Sequence, residues 1–318
     1  MTDQHSVGEP AVDISVVVPV VERVDDLTAL FQYYSAALRE MERSFEFIFV
    51  LDGRFRRLVE PLRELKRDNP EVRIVVMGRS FGKAAALKAG ASQARGSVLM
   101  TLASIFQVDR GAVREMLTQL DEGYDLVVTR RHPRIDSLFN RLQSRVFHGA
   151  ARLLTGSKFR DMTCGSRAMR SEVLDELHLY GNFHRFIPIL AKRAGFRVKE
   201  VEVPQSKEDS RTPVFSLTVY LALLLDILTM FFLTRFVNKP LRFFGTLGAA
   251  IFSVGFVITG YLALYRLLGF GGIANRPLLL LGILLIVFGV QSISIGLVGE
   301  IVIFTHAREK EYRIDTVF

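Results

Sequence analysis

Cysteine is nearly absent from this chain of 318 residues: Cys164 is the only one. That excludes an internal disulfide framework and fits a reducing compartment. An apolar leader is missing too. The opening residues, MTDQHSVGEPAVD, are polar and acidic and do not read as a signal peptide. There is no internal repeat and no low-complexity tract. Acids are in deficit, 33 Asp and Glu against 41 Lys and Arg, for a formal net charge of +8. The imbalance favours anionic partners: nucleic acid, phosphorylated substrates or an anionic membrane face. One local absence says more. Ser97 to Asp109, SVLMTLASIFQVD, reads as a buried strand, Val98–Leu102, running into a loop. Ligands of open parallel α/β sheets bind just beyond such strand ends. Leu102, Ala103, Ser104 and Phe106 stand where a nucleotide site of this kind would hold a metal with acids.

What is present alternates. ISVVVPV (Ile14–Val20), FEFIFVL (Phe45–Leu51), VRIVVM (Val72–Met77), Val98–Leu102 and Leu126–Thr129 are short apolar, β-branched runs, as expected of strands covered on both faces. Between them lie helical patterns. Asp25–Met41 carries Leu27, Leu30, Phe31, Tyr34 and Leu38 at helical spacing, and Arg56–Arg67 is charged and contains Pro61. An Ala-rich helix follows Arg79-Ser80-Phe81-Gly82-Lys83 and runs to Ala94, and another spans Gly111–Leu120. The alternation predicts a parallel sheet with helices on both faces. Later, Asp161–Arg167 reads as a loop entering a strand, Asn182–Ala194 as a helix with His184, Arg185 and Lys192, and Phe196–Val203 as a last strand.

Residues 130–170 hold ten basic side chains against two acids, Asp136 and Asp161. Arg134, Arg141, Arg145 and Arg152 fall on one helix face, opposite Phe139, Leu142, Val146, Ala150 and Leu153. A solvated face and an anion-binding surface both fit this pattern. From Phe215 onward the chain turns apolar. Leu217–Leu233 has Asp226 at its middle, which favours a helix lying in the membrane interface. Phe243–Tyr265 and Pro277–Gly299 are uncharged and long enough to cross a bilayer, which takes about 20 residues. A short Gly-rich link, Arg266–Arg276, makes them a hairpin. Arg235, Lys239 and Arg242 before it, with His306, Arg308, Lys310 and Arg313 after it, place both ends in the cytoplasm. Glu300, at the inner end of the second span, calls for a partner. His148, His184 and Cys164 each read more simply as packed residues than as catalytic ones, and Asp161 as a turn cap or an acceptor-side group.

In this order and spacing, ISVVVPV, FVLDG, RSFGKAAALKAG, DMTCGSRAMR, FVNKPLRFFGTLG and a hairpin ending in GLVGEIV resemble the membrane-anchored family 2 glycosyltransferases. These are similar to dolichyl-phosphate mannose synthases and to bacterial polyprenyl-phosphate glucosyl- and aminoarabinosyl-transferases. The resemblance implies an α/β chain: a cytosolic GT-A domain with a Rossmann-like, mostly parallel sheet over residues 1–212, then interfacial helices over 213–240. A transmembrane hairpin over 241–305 and a basic cytosolic tail over 306–318 complete it. The implied activity is transfer of a sugar from a UDP- or GDP-linked donor to a polyprenyl phosphate. Pro19 and Val21 would line the nucleotide entrance, Asp52 would contact base and ribose, and Gly82, Lys83 and Ser104 would complete the donor site. Arg131 and Arg145 would hold the acceptor phosphate. The resemblance also implies a homo-oligomer, up to a tetramer; a nucleic-acid partner is disfavoured on other grounds, because the arginines concentrate in a segment leading to the membrane and no nucleic-acid motif is visible.

The departures from that family lie in the donor site. Its Asp-x-Asp and following Leu-Gln bind Mg²⁺ or Mn²⁺, whereas this chain has Leu102-Ala103-Ser104-Ile105-Phe106, which offers no oxygen cage to a hard cation. Leu51 replaces the first of two paired acids, Arg54 a serine and Ser80 an asparagine. A later phosphate loop is blurred into 207–215, where Arg211 is the substitute. Three accounts meet these departures. The enzyme works without a metal cofactor, with Arg54, Arg131 or Arg211 neutralising the diphosphate. Or Asp109 and Gln107 hold a metal elsewhere. Or the protein is an inactive partner or lipid-phosphate binder. A lipid-handling unit regulated by the soluble domain is a further class.

Overall fold

The computed structural model describes residues 12–133, 149, 159–177, 179, 181, 183–207, 209, 225, 228–229, 240–269 and 277–306. The chain divides into two compact units, with the break at 227/228.

The first unit is a seven-stranded sheet with helices. Its elements are β1 (Val12–Val20), α1 (Leu27–Glu40), β2 (Phe45–Leu51), α2 (Val59–Asp68), β3 (Val72–Val76), α3 (Lys83–Ala91), β4 (Gly96–Thr101), α4 (Gly111–Asp121) and β5 (Leu126–Arg131). After these come β6 (Arg167–Arg170), α5 (Ser171–Glu176), α6 (Ile187–Arg193) and β7 (Val198–Val203). The strand order is β3-β2-β1-β4-β6-β5-β7. Strands β1 to β4 are mutually parallel, as the alternation predicts, and β7 runs parallel to β5. β6 departs from the pattern: it lies antiparallel between β4 and β5. It is entered from the 161–166 loop, at the far end of the connection that leaves β5 at Arg131.

β1 is central and buried on both faces. Val16, Val18 and Val20 pack with Leu30, Phe31 and Tyr34 of α1, in a core that also takes Phe47 and Phe49 of β2. Asp26 caps α1 by accepting from the amides of Thr28 and Ala29. Two expected helices are shorter than their sequence patterns. Residues 53–58 and 183–186 form 3-10 turns, and the α-helices begin only at Val59 and Ile187. In both, a proline, Pro61 or Pro188, falls in the first α turn, where its missing N–H costs nothing.

The second unit is a helical hairpin, α7 (Pro240–Leu267) and α8 (Pro277–His306). At 28 and 30 residues these helices are about 42 and 45 Å long, more than the ~30 Å apolar thickness of a bilayer. Both spans extend beyond their expected bounds. The helices touch backbone to backbone: a Cβ at Gly248 would lie 2.6 Å from the Gly289 carbonyl, and one at Gly255 2.7 Å from that of Gly282. Small residues at such contacts are what lets apolar helices pair in lipid. Glu300 has the partner expected of it, since its carboxylate accepts from the Leu241 amide, 3.3 Å away, at the start of α7. Most of the segment Leu217–Leu233 and all of 307–318 fall outside the described residues.

Candidate active site

Because β1 to β4 are parallel, their carboxyl ends meet at one edge of the sheet, and the loops leaving them build the site. At the β1–β2 end, Asp52 is fully buried. It accepts from the Ser80 hydroxyl at 2.6 Å and from the Arg54 amide at 3.1 Å. Arg54 in turn donates to the Val21 carbonyl at 2.8 Å. Burial opposes the Asp52 charge, but the Ser80 and Arg54 bonds outweigh it and hold the carboxyl below its ordinary range. Asp52, Val21 and Arg54 are therefore brought together. However, both Asp52 oxygens are already committed, so the carboxylate fixes the loops of the site and presents no face to a base or ribose. Pro19 is a buried strand residue paired with Val50.

At the β1–β4 end the loops are stitched together. The Ser104 hydroxyl donates to the Arg23 carbonyl at 2.7 Å, and the Ser104 carbonyl accepts from the Asp25 amide at 2.9 Å. The Asp25 carboxylate accepts from the Phe106 amide at 3.1 Å and pairs with Arg23 at 3.3 Å. Leu102 and Ala103 are buried. Asp109 is spent at the start of α4, accepting from the Gly111 amide and the Tyr33 hydroxyl. The Gln107 side-chain oxygen accepts from the Gly165 amide at 2.7 Å. Asp109 and Gln107 thus serve separate loops, and among the described residues no three His, Cys, Asp or Glu side chains gather as a metal would require.

The region where α3 meets the ends of β4 and β6 is cationic. Gly82, at φ +81°, turns the chain into α3 and caps it without a side chain. Lys83 follows, half-buried. Burial, together with the charges of Arg185 and Arg167, pushes its ammonium down to about 8 against the pull of Glu22. Arg167 opens β6 opposite Thr101, the last residue of β4. Its guanidinium is buried and donates to the His184 and Met162 carbonyls, at 2.5 and 3.2 Å. His184 is 7% exposed, and its Nδ1 has no hydrogen-bond partner among the described residues. Burial and then the Lys83, Arg185 and Arg167 charges push this imidazole down to about 2, so it is neutral. Cys164 is buried against the Thr129 hydroxyl at 2.9 Å, and burial raises its thiol, consistent with a packed residue rather than a nucleophile.

Arg131 requires a correction. The expectation is a guanidinium free to hold a lipid phosphate. In the structure it is 5% exposed and already paired, through Nε to Asp161 at 2.9 Å and through Nη1 to Asp209 at 2.9 Å. Nη2 adds Asp161 and the Thr163 hydroxyl. Two buried carboxylates outcompete any outside anion, so Arg131 anchors the 161–165 loop. Asp161 does cap its turn, accepting from the Thr163 amide at 3.2 Å, and binds Arg131 as well. Arg145 and Arg211 lie outside the described residues, as do Arg134, Arg141 and Arg152. Of the expected donor residues the structure gathers Val21, Asp52, Gly82, Lys83 and Ser104 along one edge. It adds Arg167 and Arg185, to which the sequence reading gives no site role, and His184, which it reads as a packed residue. The signal for Arg167 was the turn chemistry of DMTCGS, which delivers the next residue to a strand end.

Comparison with known proteins bears on this arrangement. The sequence profile described as "Glycosyl transferase family 2" matches residues 15–178. The chain is 28% identical to "Dodecaprenyl-phosphate galacturonate synthase" of Rhizobium johnstonii, over 94% of this chain and 90% of that one. It is 32% identical to "Undecaprenyl-phosphate 4-deoxy-4-formamido-L-arabinose transferase" of Edwardsiella ictaluri, over 90% and 87%. Among solved structures, glucosyl-3-phosphoglycerate synthase from Mycobacterium tuberculosis shares the fold at a TM-score of 0.52. The identity there is 18%, over 71% of this chain and 78% of that one. That structure holds Mn²⁺ and UDP. The side chains at the β4 end here do not fit a divalent cation: those of Leu102, Ala103 and Ile105 carry no oxygen, the Ser104 hydroxyl is spent on Arg23, and Lys83 and Arg167 would repel it.

Proposed function

Since the chain belongs to glycosyl transferase family 2, we propose that it transfers a sugar from a nucleoside-diphosphate sugar to a polyprenyl phosphate at a membrane surface. The observation that carries this reading is the pairing, in one chain, of a site at the carboxyl ends of a GT-A sheet with two apolar helices long enough to span a bilayer. The same extent of chain, nine-tenths of its length, aligns with relatives named as polyprenyl-phosphate sugar transferases. A phosphate oxygen of the lipid attacks the anomeric carbon. The bond from that carbon to the donor diphosphate breaks, and its electron pair leaves with the nucleoside diphosphate. The attacking phosphate is already ionised, so no strong base is needed. The protein's work is to position the two substrates and to balance the charge on the leaving group.

The loops held by Asp52, Arg54 and Val21 take the nucleoside, and the α3 edge takes the diphosphate. Arg145 is assigned to the acceptor phosphate, as the family resemblance implies. The basic residues flanking the hairpin favour a cytoplasmic first unit with both termini on that side. The test is transfer of labelled sugar from a panel of UDP- and GDP-sugars to polyprenyl phosphate, by the full chain purified in detergent. The expected outcome is a labelled lipid with at least one donor. No product with any donor, from protein that still melts cooperatively, would overturn the reading.

A further inference from the structure

We propose that Lys83 and Arg167 form the diphosphate pole of the donor site and take the place of a divalent cation there. This rests on the donor reading above. The first support is position. Gly165 marks the meeting point: a Cβ built there would lie 3.5 Å from the Lys83 Nζ, 3.5 Å from the Ala103 Cβ and 3.4 Å from the Gln107 side-chain oxygen. The ammonium therefore stands at the end of β4, beside the residues that lack the acids. Arg167 reaches the same strand end from β6, opposite Thr101.

The second support is charge without a counter-charge. Arg167 is 4% exposed, and its hydrogen bonds go to two carbonyls. Neither it nor Lys83 forms an ion pair among the described residues. Burying a cation unpaired is costly, and a bound anion removes that cost. Nearby, the buried His184 Nδ1 also lacks a hydrogen-bond partner, a polar atom left for a ligand or its water. Third, α3 opens on Gly82, so no side chain occupies the first-turn amides that point out beside Lys83. A diphosphate carries two to three negative charges, and two fixed cations balance it as a metal would. The arginine adds paired N–H donors and the lysine a point charge.

The test is nucleotide binding by the full chain in detergent, with UDP and GDP as probes against uridine and guanosine, in excess EDTA and then with Mn²⁺. The expected result is that one nucleoside diphosphate binds in EDTA at least about tenfold tighter than its nucleoside, and that Mn²⁺ changes its affinity by less than about threefold. Lys83→Gln should weaken the diphosphate about tenfold or more while leaving the nucleoside unchanged, and Lys83→Arg should restore most of the loss. Two outcomes overturn the proposal alone: binding that EDTA abolishes and Mn²⁺ restores, or Lys83→Gln with full diphosphate affinity. Absence of binding by either nucleotide in both conditions overturns the donor reading with it. The EDTA comparison uses the unaltered chain and so stands even if a variant fails to fold.

Discussion

At the scale of single residues, buried charge separates two jobs at opposite ends of the strands. At the amino ends Glu46 is fully buried and saturated: it accepts from the Ser15 hydroxyl at 2.7 Å, the Arg95 amide at 2.8 Å and Arg73 at 2.9 Å. Burial pulls its carboxyl up, but these bonds prevail and hold it below its ordinary value. A carboxyl depressed by folding adds stability above its unfolded value, about 4.3, and loses that contribution as pH falls through the folded value. Glu46→Gln should therefore cost about 1–3 kcal/mol at pH 7, the arginine partners being partly exposed. The gap to the unaltered protein should narrow as the pH is lowered below 4. Thermal melts followed by circular dichroism at pH 7 and at successively lower pH values check this; an undiminished gap would refute it. At the carboxyl end of β4, by contrast, Lys83 and Arg167 form no ion pair among the described residues, as an anion-binding site requires. Lys83 was legible from RSFGK. Arg131 was misread because its partners, Asp161 and Asp209, lie 30 and 78 residues away. Nothing local in TRRH tells a buried arginine from an exposed one.

At the scale of elements, α3 links core packing to the site. Gly90 faces the sheet so closely that a Cβ would meet Val17 at 2.4 Å and Val50 at 3.0 Å. Lys83 lies seven residues, about 10 Å, back along the same helix. Gly90→Val should push α3 off β1, costing about 1–3 kcal/mol, and displace the ammonium from the end of β4. We expect weaker nucleoside-diphosphate binding together with a lower melting temperature. A lower melting temperature with binding intact would mean that α3 does not position Lys83. The alternating strands and helices were legible because burial on both faces leaves continuous β-branched runs such as ISVVVPV. The antiparallel β6 was not. Its four residues, RAMR, carry too little pattern to set a direction, and its place depends on Arg167 and Ala168 pairing with strands distant in sequence. The split helices were half legible: Pro61 and Pro188 were visible, but not that each would mark a first turn.

At the scale of the molecule, the proposed reaction needs its two units on fixed sides of a membrane. Nucleotide sugars are made inside the cell, so the site has to face the cytoplasm, and the link between α7 and α8 has to lie across the bilayer. The two spans were legible from their lengths and lack of charge. Their orientation rests on a bias of basic residues, Arg235, Lys239 and Arg242 on one side against Arg266 and Arg276 at the link. Labelling with a membrane-impermeant maleimide decides it, and the composition makes the experiment clean: the one native thiol, Cys164, is 1% exposed and stays silent. Gly272→Cys, in the link, should react in intact cells. Glu122→Cys, exposed just after α4, should react only once the membrane is opened. The reverse pattern would put the sheet and its cationic pole outside the cell, away from any nucleotide sugar, and the proposed reaction would fail on topology whatever the chemistry of Lys83.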